Sequence, residues 1–282
     1  MIPQRNISLL SNRLAREGGR RIPEAVLERD YCLAWFLVGL SSSPICKSLI
    51  FKGGTALKRC YFSNYRFSED LDFTLAEEMP LETILAGFEK VYAEVRQSSG
   101  VVIRYSREDR RKHQNSHTFY LAYDGPLPGA STKEFKVDIT INERIVMPVQ
   151  KLPVLKGYDE YTDLPGNANI QVYALEEILV EKIVALTDLA RNEPRDLYDV
   201  WYLTAVENMD LTAFIPKVAN KLEFRDRALA EMGDELVKKE ARLRKLWQVR
   251  LAKQMADLPH FDEVYRAVRR SLRVAGLMKE PT

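Results

Sequence analysis

The sequence predicts a protein of two unlike halves, an N-terminal α/β half built on a small mixed sheet and a C-terminal helical half. Three observations carry this. Period-two alternation of apolar and polar residues appears in "EDLDFTL" and "KEFKVDITI", both in the first half of the chain. From "ALEEILVEKIVALTDLAR" onward the apolar residues recur at helical spacing. Between them, residues 147–169 are rich in Pro, Gly and Asp, as a connector is. The two domains are expected at 1–165 and 166–282.

The elements follow in order. "PEAVLERDYCLAWFLVGLSS" reads as a helix, with Pro23 in its first turn and Gly39 near its end. "SLIFKGG" is a short apolar strand entering a turn, and "TALKRCYF" has helical character. In "EDLDFTL", Asp70, Asp72 and Thr74 fall on one side and Leu71, Phe73 and Leu75 on the other. "PLETILAGFEKVYAEVRQSSG" is an amphipathic helix closing near Gly100. Two strands, "VVIRYS" and "HTFYLAY", flank a basic knot at residues 104–113. "KEFKVDITI" then sets Phe135, Val137, Ile139 and Ile141 against Lys136, Asp138 and Thr140. Beyond the connector, helices are expected in "PRDLYDVWYLTAV", in a long charged stretch over residues 222–255, and near residues 261–274.

Composition narrows the class. The 282 residues are 46% apolar, enough for one large core or two modest ones. The longest apolar run, residues 31–40, is too short to cross a bilayer, and the N-terminus does not read as a signal peptide. A cytoplasmic protein with no membrane partner is therefore expected. Cys32, Cys46 and Cys60 match no zinc or redox spacing and are expected as reduced thiols. His113, His117 and His260 show no ligand spacing, and Trp35, Trp201 and Trp247 read as helix packing. Net charge is only +2, but from Leu211 to the end 16 Lys/Arg stand against 10 Asp/Glu. That asymmetry, with the basic knot, favours a polyanionic partner, although solvated helix faces look the same.

The chemistry lies in "FKGGTALKRCYFSNYRFSEDLDF". Gly53 and Gly54, after a strand and before a helix with Thr55, could bring backbone N–H groups to phosphate oxygens; equally, they could form a structural turn. The lysine and spacing of a P-loop are missing. Asp70 and Asp72, two apart on a strand, point the same way and repel unless a cation lies between them. Asp138 also lies on a strand whose other face is apolar. Three such carboxylates facing away from the core could converge on Mg²⁺ or Mn²⁺, which takes carboxylate oxygens together with substrate phosphates.

The stretch "GGTALKRCYFSNYRFSEDLDF" closely resembles the signature of the AbiEii/MenT-type nucleotidyltransferase toxins. "LERDYCL", "FKVDIT", "EEILVEKIVAL" and "RNEPRDLYDVWYL" agree in the same order, so the likeness runs from about residue 28 to 203. It implies a polymerase-β-like nucleotidyltransferase domain followed by a helical domain. It also implies metal-binding acids at Asp70 and Asp72, joined by Asp138, and a nucleoside triphosphate seated over Gly53, Gly54 and Thr55. Lys182 lies on the apolar stripe of Leu175, Ile178, Leu179, Leu186 and Leu189, opposite Glu177, Glu181 and Asp188. A lysine there either snorkels to water or meets a buried anion, and the resemblance implies a nucleotide phosphate.

Asp196 and Asp199, three apart on a largely apolar helix, need partners. Arg191, Arg195 and Lys182 are candidates, and an ordinary Arg195–Asp199 pair is the plainer reading. The resemblance implies an acidic active-site residue here, Asp196 before Asp199. Lys52, Arg66, Ser68, Arg191, Arg195 and Asp199 are expected to support the site. Arg107, Arg110, Arg111 and Lys112 are expected at an RNA-binding surface. The function implied is a Mg²⁺-dependent toxin of a toxin–antitoxin or phage-defence (abortive-infection) pair that adds nucleotides to RNA, foremost the tRNA 3′ end. A DNA-binding antitoxin would be its partner. A nucleotidyltransferase of proteins or small molecules, and a non-catalytic module of the same fold, stay open.

Overall fold

A computed structural model describes residues 1–110, 114–129, 133–229 and 232–278. The chain divides into two compact units. One comprises Met1–Glu143, Val149–Tyr173 and Gln254–Ala256; the other comprises Arg144–Pro148, Ala174–Lys253 and Asp257–Thr282.

The first unit is a mixed seven-stranded sheet in the order β3-β4-β5-β2-β1-β7-β6. Its strands are β1 (Leu49–Lys52), β2 (Asp70–Leu75), β3 (Val102–Glu108), β4 (Ser116–Asp124), β5 (Lys133–Thr140), β6 (Gln150–Pro153) and β7 (Asn169–Val172). β2 runs antiparallel to β1 and parallel to β5, while β1 and β7 are parallel. Helices α1 (Gln4–Gly18), α2 (Glu24–Ser42) and α4 (Leu81–Ser99) belong to the same unit, with a short α3 (Gly53–Ala56) that runs on as a π-helical turn over Leu57–Tyr61.

The alternation in β2 and β5 does what the sequence predicts. Phe73, Phe135, Val137 and Ile139 are buried, and Phe135 and Phe119 meet Phe36 of α2 and Phe88 of α4 with ring centroids 5–6 Å apart. The helices therefore cover one face of the sheet, and the acids stand on the other.

The helix containing Gly39 ends at Ser42, as the sequence predicts, and Gly39 is needed within it because a Cβ there would come within 2.5 Å of Val95 on α4. Two expectations change. The connector over 147–169 contains β6 and ends at the start of β7, both too short and too Pro- or Asn-marked to show alternation. The basic knot is partly strand, since β3 continues to Glu108.

The second unit holds α5 (Leu175–Leu186), α6 (Pro194–Trp201), α7 (Ile215–Phe224), α8 (Met232–Leu251) and α9 (Phe261–Val274). The charged stretch over 222–255 takes in the end of α7 and the whole of α8. α9 presents Phe261, Val264, Tyr265, Val268 and Leu272 inward at helical spacing. Trp247 of α8 stacks edge-on against Phe261 and donates Nε1–H to the Pro259 carbonyl at 2.9 Å. No helix among the described residues is long and apolar enough to cross a membrane.

Candidate active site

The sheet register builds the site. Lys52 on β1, Asp72 on β2, Asp138 on β5 and Thr118 on β4 are successive partners across four adjacent strands. Side chains at paired positions share a face, so this is one transverse row, with Asp72 and Asp138 in the middle. Asp70, two residues before Asp72, opens the next row and pairs with Lys136. The three predicted carboxylates are thus brought to one face of two parallel neighbours, a placement that alternation predicts within each strand but not between strands.

The glycine turn closes over that row. Gly53 has φ +78°, and a Cβ there would lie 2.5 Å from Asp72 Oδ2. A Cβ on Gly54 would lie 2.5 Å from Arg66 Nη2 and 3.3 Å from Ser68 Oγ. Both glycines are therefore required, the first by backbone conformation and by the carboxylate, the second by the guanidinium. Arg66 is buried, and its Nη1 donates to the Phe67 carbonyl and to Gln254 Oε1 at 3.2–3.3 Å. Ser68 is buried as well. Thr55 donates its hydroxyl proton to the Asp70 backbone carbonyl at 2.5 Å, tying the start of α3 to the first acid. Lys52 Nζ donates to Thr140 Oγ1 at 3.0 Å and lies 5.6 Å from the Tyr173 ring centroid.

Lys136, Thr118 and Thr140 are the residues that sequence reading passed over. Lys136 Nζ sits 3.1 Å from Asp138 Oδ2, and Thr118 donates its hydroxyl to the same oxygen at 3.2 Å. Half-burial pushes Lys136 down, but Asp138 first, then Asp70 and Asp72, more than offset it and hold the ammonium above its ordinary pKa. The field of all three acids thus converges on Lys136. Its place two residues before Asp138, on the same side of an alternating strand, was the signal available in "KVD".

Among the described residues no three His, Cys, Asp or Glu side chains are drawn together as a ready-made metal cage. The donor set nonetheless suits a hard divalent cation. Mg²⁺ is held by one or two carboxylates, with substrate phosphates and water supplying the rest. All three acids are part-exposed, so their oxygens can be reached.

In the helical unit, Lys182 is buried and meets Asp196 Oδ1 at 2.9 Å and Asp199 Oδ2 at 2.7 Å. Arg191 Nε donates to Asp196 Oδ2 at 2.6 Å. Lys182 does not snorkel; of the two readings, a buried anion is the one observed, and that anion is Asp196 with Asp199. Burial alone would raise the Asp196 pKa, but Lys182, Arg191 and Arg195 together hold it far below the usual carboxylate range. Arg195 Nε lies 4.0 Å from Glu193. Glu177, expected opposite the apolar stripe, is fully buried. It pairs with the equally buried Lys221 at 2.7 Å and accepts the Val146 and Met147 backbone N–H groups at 2.7–2.8 Å. An ion-pair partner 44 residues further along the chain leaves no mark on local periodicity.

These contacts make a stability prediction. Asp199→Ala removes one of two carboxylates from a buried ammonium and should cost about 3–5 kcal/mol in urea unfolding. Because the folded pKa of Asp196 is depressed, its contribution is present above the unfolded value of about 4 and is lost as pH falls through the folded one. Asp196→Asn should therefore flatten the acid limb of stability against pH.

Of the expected RNA contacts, Arg107 lies on β3 and Arg110 is exposed just after it, while Arg111 and Lys112 lie outside the described residues.

Comparison with known proteins gives a family and a fold. The family model described as "Nucleotidyl transferase AbiEii toxin, Type IV TA system" matches residues 35–267. The structure resembles a putative nucleotidyltransferase from H. pylori (TM-score 0.54, 18% identity, 90% of this chain and 96% of that one), a likeness of fold. MenT4, a nucleotidyltransferase toxin from Mycobacterium tuberculosis H37Rv, aligns at TM-score 0.47 and 19% identity over 95% and 99% of the two chains. No curated protein matches.

Proposed function

This chain belongs to the AbiEii family of nucleotidyltransferase toxins, and from that premise we propose that it transfers a nucleotide from a nucleoside triphosphate to an RNA 3′ end, foremost that of tRNA, in a Mg²⁺-dependent reaction that blocks translation. The family implies the transferase activity, the triphosphate and an antitoxin partner. The acceptor, the metal and a role in phage defence are our reading. One observation carries it: the in-register row of Lys52, Asp72 and Asp138 beside a Gly-Gly turn whose first glycine leaves no room for a side chain against the central carboxylate.

In this reading the backbone N–H groups of the Gly53–Gly54 turn receive the phosphates, and Asp70, Asp72 and Asp138 would hold the metal. A divalent cation, when bound, neutralises charge developing on the reacting phosphoryl group and the departing pyrophosphate. Lys136 and Thr118 fix the Asp138 carboxylate, so that its orientation does not have to be acquired during reaction. The Thr55 hydroxyl, bonded to the Asp70 carbonyl, locks the turn against β2 rather than donating to phosphate. The acceptor hydroxyl attacks the α-phosphorus in line, and positioning and charge neutralisation supply most of the rate. Lys182 is assigned to triphosphate charge and Asp196 to an acidic role on the family likeness alone.

The test incubates the protein with tRNA, and separately with total protein, with each of the four α-labelled nucleoside triphosphates in turn, with Mg²⁺ or with chelator. Label should enter tRNA, from one or few nucleotides, only with the metal present. Label in the protein fraction would move the acceptor to polypeptide. Absence of both transfer and triphosphate binding would leave a non-catalytic module.

A further inference from the structure

The acid-bearing face continues beyond β5. One register row runs from Asp70 on β2 through Lys136 on β5 and Tyr120 on β4 to Arg107 on the edge strand β3. Three interstrand steps of about 4.8 Å place Arg107 about 14 Å from the first acid. The Arg107 guanidinium carbon lies 3.7 Å from the Tyr120 ring centroid, so the cation rests on the ring. Both partners are held at their far ends. Arg107 Nη2 donates to Glu134 Oε2 at 3.0 Å, Ser106 donates to Glu134 Oε1 at 2.5 Å, and the Tyr120 hydroxyl donates to Asp109 at 3.3 Å. The Arg107 side chain is still 48% exposed.

This strip is a poor magnet for phosphate. Glu134 balances Arg107, and Asp124 balances Arg104 at 2.6 Å. What it offers instead is a flat, partly open guanidinium, fixed in orientation and backed by an aromatic ring. A guanidinium laid on a ring and fixed in orientation suits an unstacked base, because bases stack on guanidinium planes as they do on aromatic rings. The row also leads straight to the acids, so whatever stacks there is in line with the reacting end.

We propose that Arg107, laid over Tyr120 and clamped by Glu134, is a stacking platform for a base of a single-stranded RNA acceptor, a short way upstream of the 3′ end that enters the acid row. The proposal rests on the reading of the site as an RNA nucleotidyltransferase. It names where the acceptor lies and what holds it: stacking rather than net charge.

Fluorescence anisotropy with a labelled single-stranded RNA oligonucleotide bearing a free 3′ hydroxyl tests it. Arg107→Lys keeps the charge and loses the plane. It should weaken binding about tenfold with the salt slope unchanged, and Arg107→Ala should weaken binding at least as much, again with little change in slope, because Glu134 already balances the guanidinium and no phosphate is held there. Tyr120→Leu should act like Arg107→Lys. Triphosphate binding should be unaffected in all three, and so should the binding of a blunt RNA duplex to Arg107→Lys, because its bases are not splayed. Wild-type affinity for single strands in Arg107→Lys overturns the platform and leaves the RNA reading standing. A wild-type protein that binds triphosphate but no RNA overturns both.

Discussion

Asp72→Asn is expected to lower nucleotide transfer by about a thousandfold, the size of effect seen when one preorganised electrostatic group is removed from a transition state. Asp72 is central to the row on geometric grounds. It is the register partner of Lys52 on one side and Asp138 on the other, and its carboxylate is the group that Gly53 must leave room for. Asparagine preserves that shape, so the thermal midpoint should move by no more than a few degrees. The loss then reports on charge rather than on packing. Triphosphate affinity measured with and without Mg²⁺ separates two explanations. If Asp72 holds the cation, the variant loses the Mg²⁺-dependent part of binding. Transfer within tenfold of wild type would remove Asp72 from the metal site.

What could be read from the chain and what could not divides along one physical line. Local periodicity put Asp70 and Asp72 on one side of a strand and Asp138 on one side of another, because a strand's period is two wherever it sits. The pairing of Asp72 with Asp138 was invisible, since β2 and β5 are parallel neighbours separated by a helix and two further strands. For the same reason Lys136 passed for an ordinary polar residue. The Lys182–Asp196–Asp199 cluster was half legible: the need for partners follows from charges on apolar helices, but which partners follows from packing. Glu177 failed outright, because its answering charge, Lys221, lies on another helix. β6 disappeared into what looked like a connector, and β7 went unread at its far end, because four residues are too few to show alternation. The family likeness contributed most where periodicity contributed least, namely which acids to join to the glycine turn.

That turn carries the second large prediction. Gly53→Ala should reduce transfer about a hundredfold while costing the fold only about 1–2 kcal/mol. A residue other than glycine at φ +78° is strained by about 1 kcal/mol. The new methyl group would also stand 2.5 Å from Asp72 Oδ2 and 3.2 Å from its Cβ and Cγ. The Cβ of Asp72 is fixed by the sheet, so relief requires the carboxylate to rotate or the turn to lift. Either movement displaces reacting groups by a sizeable fraction of an ångström, and misplacement of about 1 Å is enough for losses of about a hundredfold. Gly54→Ala provides the contrast. Its methyl group meets the Arg66 guanidinium and Ser68 rather than an acid, with ordinary backbone φ, so its cost should fall first on the Arg66–Gln254 contact and hence on stability. If Gly53→Ala lowers stability and transfer no more than Gly54→Ala does, the turn is a structural bend and not part of the phosphate site. If Gly53→Ala loses activity with its fold intact, the glycine is there to let Asp72 stand where it does.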